Sequence, residues 1–198
     1  MHAEPVEGLA RALDVTGVLV AGVRDEQWTD PTPCSEWNVA DLVGHIVSGN
    51  WLFAGILRGG QPDLSGGSPA AGLGGDLPAS YRQTAGDLVA AFSRPSVLEE
   101  MFTVPFGTVP GTVALHLRIT ELLVHGWDLA RATAQHARFP DDLAVQELAF
   151  SSRALAGIPT GRSPFGPPQP APPGAGPLDQ LAALLGRDVA GGGAGSGS

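Results

Sequence analysis

Stretches rich in proline and glycine divide the sequence into segments whose apolar residues recur at steps of three and four. Such steps place apolar side chains along one face of an α-helix, whereas the side chains of a half-buried strand alternate at every second residue. In the first segment, Glu4–Val23, the recurring positions are Leu9, Leu13, Thr16, Val20 and Val23. The pattern therefore predicts an all-α chain built from amphipathic helices.

Helix-start and helix-stop residues extend this prediction along the chain. Asn38 is a favourable N-cap, and Asp41, three residues later, gives a capping-box pattern for a helix that ends at Leu57, before Arg58, Gly59 and Gly60. Further helices are predicted at Pro78–Ser93, from Gly111 or Thr112 to Ala134, at Asp141–Ala156 and, as a short helix, at Leu178–Leu185. Four long helices favour a helix bundle, in which sites form between facing helices.

The segments between the helices contain turn residues. Residues 59–76 are rich in Gly, Pro and Ser and are predicted to form a loop, either a lid or a disordered segment. Met101–Pro110 is apolar and broken by proline, which indicates an extended loop or a short strand, and the prolines of 157–177 exclude regular helix. We expect one domain over residues 1–188 and a flexible Gly/Ser tail at 189–198.

The charge of the chain limits its partners. Its 198 residues include 20 Asp and Glu but only 11 basic residues, all of them Arg, and the formal net charge is −9. Nucleic acid and a polybasic membrane contact are therefore not expected, because both need clustered cations. No segment resembles a membrane span or a signal peptide, so we expect a cytoplasmic protein. The single cysteine, Cys34, excludes an intramolecular disulfide and a cysteine-based metal cluster, and we expect it to be an ordinary loop or buried residue.

One helix carries the pattern with the clearest chemistry. Glu121 and His125 are four residues apart and therefore lie on one face, where a carboxylate and an imidazole can reach the same cation. His45 lies among apolar residues of the second helix, where an imidazole is costly unless something satisfies it. From spacing alone, two other interpretations stay open, namely that His45 is a hydrogen-bonded core residue and that the Glu121–His125 pair belongs to a solvated face.

Other polar residues near this pattern have smaller predicted roles. Asp41 and Asp128 are either acceptors that fix imidazole tautomers or carboxylates at a helix end or on the surface. Arg118 and Arg131 are predicted to form surface ion pairs, although an Arg here would also suit an anionic substrate. His116 lies nine residues before His125, on the opposite side of the helix, and is predicted not to bind a metal.

Three stretches of the sequence resemble one known family. They are TPCSEWNVADLVGHIVSGNWLF, RITELLVHGWDLARATAQ, and RSPFGPPQP followed by LDQLAALLGRD. Together they resemble the DinB-like four-helix-bundle superfamily and, within it, the metal-binding domain of mycothiol-dependent maleylpyruvate isomerase and its stand-alone actinobacterial relatives. The resemblance covers roughly residues 5–188, and it implies a DinB-like four-helix bundle with extra short helices and a Pro-rich C-terminal segment.

The resemblance also implies a site and a chemistry. In this branch a divalent metal, usually zinc, is held by one histidine of the second helix and by a Glu/His or His/His pair of the last bundle helix, which assigns these roles to His45, Glu121 and His125. Two imidazoles, one carboxylate and an open position are typical of a catalytic zinc. A small thiol such as mycothiol would be deprotonated at this metal and would react with an electrophilic substrate.

We therefore expect a thiol-dependent S-transferase or isomerase, active as a monomer or homodimer. Two other classes stay open: a hydrolase in which the metal activates water with Asp128 as base, and a non-enzymatic metal-binding or regulatory module. A further alternative is a helical scaffold without metal, in which His45 is an ordinary core residue. The isomerase has a further C-terminal domain that contributes to its active site, where this chain has a glycine-rich tail. Maleylpyruvate isomerisation itself is therefore not an expectation from the sequence, whereas related thiol chemistry is.

Overall fold

The computed structural model of the protein describes residues 3–35, 37–60, 75–105, 107–157 and 165–190. Within these ranges, the chain divides into two compact units, Met1–Ala137 and Arg138–Ser198, which are described separately below. The single domain over 1–188 stays a prediction. Most of the predicted Gly/Ser tail at 189–198 and most of the predicted loop at 59–76 lie outside the described residues.

The first unit is a four-helix bundle, as predicted. Its helices are α1 (Ala3–Ala21), α2 (Val39–Leu57), α3 (Leu77–Phe92) and α4 (Gly111–Ala132). Helices α1 and α2 each pack against both α3 and α4, which closes a ring of four helices around one core. A 3-10 turn, Asp25–Gln27, lies between α1 and α2. The predicted all-α class is confirmed, since the described strands form only one small hairpin.

That hairpin occupies the apolar, proline-broken segment before α4. Strand β1 (Met101–Val104) pairs antiparallel with β2 (Gly107–Pro110), so that Met101 faces Pro110. Helix α4 then begins directly at Gly111. A Cβ at Gly111 would overlap the Val97 carbonyl oxygen, so glycine is required by this close approach. Of the two predicted helix starts, Gly111 and Thr112, the structure has the first. At this position the chain packs closely against the turn that follows α3.

The apolar face predicted for α2 points into the core. Its members are all buried, namely Leu42, Val43, Ile46, Val47 and Phe53. Among the described residues, α2 is the one helix long and apolar enough to cross a membrane, but most of it is buried inside the bundle, as in the core helix of a globular fold.

The predicted capping box starts α2. Asp41 N donates to Asn38 Oδ1 at 2.9 Å, and Asn38 N donates to Asp41 Oδ2 at 3.2 Å. Two backbone donors that the helix cannot satisfy are thereby paired. The same contacts identify Asp41 as a capping residue at an exposed helix end.

The second unit contains α5 (Asp141–Ala156) and α6 (Pro177–Leu184), which pack against each other. Both helices lie where the sequence predicts them, within one residue. Residues 165–176 between them contain no regular helix, as their prolines require. The remainder of the predicted non-helical stretch, 158–164, lies outside the described residues.

A matched pair of glycine substitutions tests the packing of α2 on α4. A Cβ at Gly49 of α2 would overlap the guanidinium of the fully buried Arg118, whereas a Cβ at Gly86 of α3 would have no neighbour within 4 Å. We expect Gly49→Ala to lower the free energy of unfolding by about 1–3 kcal/mol through overpacking. Gly86→Ala should raise it by about 0.5–1 kcal/mol, because alanine favours a helix. Urea denaturation measures both, and equal effects would contradict the packing.

Candidate metal centre

A hydrogen-bonded loop leads into α2 and holds two side chains of the site. Trp37 N donates to Cys34 O at 2.8 Å, and Thr32 Oγ1 accepts from Cys34 N at 3.1 Å and donates to Trp37 O at 2.8 Å. At the end of the loop, Val39 N donates to Asp30 O at 3.0 Å. These local bonds fix the positions of Cys34 and Trp37 beside the start of α2.

Two of the predicted ligands meet where α2 faces α4. The ring centroids of His45 and His125 are 4.9 Å apart, and their planes are inclined at 76°, which is an edge-to-face contact. Trp37 lies over this pair, with its ring centroid 4.6 Å from that of His45 and 5.9 Å from that of His125. His45 is half-buried, and His125 is buried. Helix packing has therefore brought together two imidazoles that lie 80 residues apart in the sequence.

Asp128 orients the second of these imidazoles. Its Oδ2 is 3.1 Å from His125 Nδ1, and the carboxylate is fully buried. An ionised carboxylate accepts hydrogen bonds and does not donate, so Nδ1 of a neutral His125 carries the hydrogen. Nε2 then keeps the lone pair that a metal requires. Of the two roles considered for Asp128 in the sequence, the geometry matches the acceptor that fixes a tautomer.

Glu121 lies on the same stripe of α4, one turn before His125. Its Oε2 forms an ion pair with Arg118 Nη1, and its side chain keeps 16% of its surface exposed. A carboxylate has two oxygens, and a contact through one of them leaves the other able to bind a cation. His45 and His125 are thus brought into contact by the structure, whereas the described contact of Glu121 is with Arg118.

Arg118 is the residue that the sequence predictions placed wrongly. It was expected in a surface ion pair, but it has no exposed surface. Its Nε donates to Asn50 Oδ1 at 3.1 Å, and its Nη2 donates to the Ile46 carbonyl oxygen at 3.0 Å. Burial lowers the pKa of Arg118, and the charge of Glu121 acts in the opposite direction. Arginine nevertheless stays charged because its ordinary pKa is above 12.

Cys34 was given no role by the sequence, yet it reaches this cluster. Its Sγ donates to Asp128 Oδ2 at 3.2 Å across a sequence separation of 94 residues. One donor atom from each of Cys34, His125 and Asp128 lies within 4.8 Å of the other two. No local pattern indicates this contact, because it depends on how the loop before α2 packs against α4.

These donors fit a divalent cation of borderline softness. Imidazole, carboxylate and thiolate are the ligands that zinc prefers in proteins. The side chains converge from three elements, and Asp128 already orients one imidazole, as carboxylates do next to zinc-binding histidines. The same burial does not favour Asp128 as the base of a hydrolase, since its Oδ2 already contacts His125 and Cys34.

A cavity of about 560 Å³ lies elsewhere in the same unit. It is lined by the N-terminal part of α1, the end of α3 and the turn that follows α3, including Val6, Phe92 and Leu98. None of the metal-centre residues lines it. This cavity is therefore separate from the cluster of possible ligands.

Comparison with known proteins places this geometry in context. Residues 9–130 match the family of the mycothiol maleylpyruvate isomerase N-terminal domain. Two uncharacterized proteins of Mycobacterium tuberculosis, one in each of two strains, are 39% identical over 194 residues, which cover 94% of this chain and 99% of each relative.

The fold is also similar to solved structures. Crystal structures of the mycothiol-dependent maleylpyruvate isomerase and of a histidine-to-alanine mutant of it superpose with TM-scores of 0.62 and 0.61, at 15% and 14% identity. Each superposition covers 74% of this chain and 67% of the other. At these identities the structures show a shared fold.

The burial of Arg118 leads to a stability prediction. We expect Arg118→Met to lower the free energy of unfolding by about 3–5 kcal/mol, because it leaves Glu121 and Asn50 without their partner. Arg131 provides the matched control on the same helix, since it is exposed and its guanidinium lies 4.7 Å from the ring of Trp127. Arg131→Met should cost about 1 kcal/mol or less. Chemical denaturation that gave equal losses would contradict the role of Arg118.

Proposed function

The chain belongs to the mycothiol maleylpyruvate isomerase N-terminal domain family, and from that premise we propose that it is a metal- and thiol-dependent transferase or isomerase. In this proposal His45, Glu121 and His125 hold a divalent cation, most simply Zn²⁺. The thiol is mycothiol or a similar small thiol, and the protein acts in the cytoplasm. The observation that carries the proposal is the edge-to-face contact of His45 and His125, at 4.9 Å, beside a carboxylate one turn away.

The metal supplies one kind of chemistry: when bound, it lowers the pKa of a thiol and orients the thiolate toward an electrophile. Two imidazoles and one carboxylate leave an open position for that thiol, as in catalytic rather than structural zinc sites. The resident side chains supply the rest, and each has a separate task.

Three residues around the ligands prepare them for binding. Asp128 holds the ring of His125 through Nδ1, so that Nε2 is presented as a ligand. Arg118 holds the Glu121 carboxylate by one oxygen from inside the bundle. Trp37 packs its ring against both imidazoles and so restricts their movement. The ligands are thereby ordered before the cation arrives, which reduces the entropic cost of forming the site.

The charges near the centre favour an anionic ligand. Glu121 and Asp128 as carboxylates, Arg118 as guanidinium and a divalent cation together have a net charge of +1. In surroundings as buried as these, that charge acts over several ångströms with little screening. A thiolate, or an electrophile that carries carboxylates, is therefore a suitable partner.

Transferase and isomerase share their first bond-forming step and differ in stoichiometry. In a transfer, the sulfur bonds to an electrophilic carbon, a leaving group departs with its electron pair, and the thiol proton goes to solvent. In an isomerisation, the sulfur adds to a carbon–carbon double bond, the resulting single bond rotates, and the same sulfur departs as the double bond re-forms. The first reaction consumes one thiol for each product, and the second consumes none.

The assay that tests this proposal follows thiol and product together. Zinc-loaded protein is mixed with mycothiol and either a halogenated aromatic electrophile or maleylpyruvate, and we expect turnover of at least one of them. His45→Ala and His125→Ala should lose that turnover, and His125→Ala should also lose most of about one equivalent of zinc measured by mass spectrometry. Thiol loss that equals product indicates a transferase, and unchanged thiol indicates an isomerase.

His116→Ala is the matched control, because it removes a histidine from the same helix nine residues before His125. It should keep both zinc and turnover. The metal assignment is wrong if His125→Ala retains zinc as His116→Ala does. Zinc bound without turnover above that of His45→Ala, across several thiols, would instead indicate a non-enzymatic metal-binding module.

A further inference from the structure

We propose that Cys34, His125 and Asp128 form a second metal-binding donor set, which shares His125 with the set above and takes a thiophilic divalent cation such as Zn²⁺ or Co²⁺. The proposal concerns the protein's own sulfur as a ligand. It holds whether or not the protein catalyses thiol transfer, because it depends only on the donor atoms of these three residues.

The distances between the donor atoms suit one cation. Cys34 Sγ lies 3.2 Å from Asp128 Oδ2, which lies 3.1 Å from His125 Nδ1. In a tetrahedral zinc site, ordinary bond lengths separate sulfur from oxygen by about 3.6 Å and nitrogen from oxygen by about 3.4 Å. Both pairs therefore need to move apart by only about 0.3–0.4 Å to admit an ion.

The remaining pair of donor atoms is the sulfur of Cys34 and a ring nitrogen of His125. All three donor atoms lie within 4.8 Å of one another, and a tetrahedral site requires about 3.6 Å between sulfur and nitrogen. The sulfur and the imidazole thus need to approach by at most about 1.2 Å, which a rotation of the Cys34 side chain can provide. Of the three residues, Cys34 is the one with room to rotate, since it is half-buried whereas the other two are buried.

The charge of this donor set also suits its position in the protein. A thiolate and a carboxylate neutralise a divalent cation, and His125 adds a neutral imidazole. A neutral cluster costs less to bury than a charged one. The set around Glu121, by contrast, leaves one positive charge on the cation, and it includes a carboxylate that keeps some exposure.

The loop before α2 makes the sulfur a preorganised ligand. Both the N–H and the carbonyl of Cys34 are hydrogen-bonded within the loop, to Thr32 Oγ1 at 3.1 Å and to Trp37 N at 2.8 Å. The backbone that carries the sulfur is thereby held at the α4 surface before a cation arrives. A ligand on such a loop loses less conformational entropy on binding than one on a flexible segment.

The two donor sets compete for one imidazole. His125 cannot bind a cation through Nδ1 and at the same time donate the Nδ1 hydrogen to Asp128, the contact that presents Nε2 as a ligand. A cation is therefore held either by His45, Glu121 and His125 with an open position, or by Cys34, His125 and Asp128 with the protein's own sulfur bound. The second arrangement is a sulfur-ligated resting form of the centre.

Cobalt substitution tests this proposal directly. The full-length protein is reduced with a phosphine, freed of metal and titrated with Co²⁺ in the absence of other thiols. We expect a near-ultraviolet thiolate-to-cobalt charge-transfer band, which Cys34, as the only cysteine in the sequence, alone can produce. Cys34→Ser should abolish the band. Asp128→Asn should weaken Co²⁺ binding at this set by about 10–100-fold.

Two further variants separate this proposal from the proposed function. Glu121→Gln and His45→Ala remove ligands only from the first set, and both should keep the band. Circular dichroism confirms that each variant is folded. A wild-type protein that binds Co²⁺ without the band would overturn the proposal. So would loss of the band in Glu121→Gln and His45→Ala, because the sulfur would then reach only a cation held by the first set. Failure of the first set alone is seen if Glu121→Gln and His45→Ala, each combined with Cys34→Ser, bind zinc as tightly as Cys34→Ser alone.

Discussion

The buried guanidinium of Arg118 is the interaction on which the site depends. It extends from α4 to Asn50 and the Ile46 carbonyl oxygen of α2, while it pairs with Glu121 on its own helix. Close to these contacts, His45 of α2 meets His125 of α4. His45 contacts His125, whereas Asn50, which comes later in α2, contacts Arg118, which comes earlier in α4. Helices α2 and α4 are therefore antiparallel. The register set by Arg118 is therefore the register that brings the two imidazoles together.

Much of this arrangement could be predicted from the sequence, because it depends on local signals. The periodicity of apolar residues predicted the bundle helices within a few residues, and Asn38 with Asp41 predicted the start of α2. The spacing of Glu121 and His125 placed a carboxylate and an imidazole on one face. All of these are properties of neighbouring residues on a single helix.

What the sequence did not indicate depends on contacts between elements. Arg118 was assigned to the surface because isolated arginines usually lie there, although it shares a stripe of α4 with Glu121, His125 and Asp128 at steps of three and four. That stripe of four polar residues, which lies among buried apolar residues of α4, was the available signal. Cys34 had no such signal, since its contact with Asp128 arises only when the loop before α2 packs against α4. The meeting of His45 with His125 was likewise an expectation from family resemblance, which spacing alone could not supply.

The central claim is that the two imidazoles and Glu121 converge on one divalent cation, and anomalous diffraction at the zinc edge tests it most directly. Crystals of the zinc-loaded protein should show an anomalous peak at about 2.0–2.2 Å from a nitrogen of His45, a nitrogen of His125 and an oxygen of Glu121. The account would be contradicted if, at saturating zinc, no peak lay within bonding distance of His45, or if no oxygen of Glu121 lay within bonding distance of the peak.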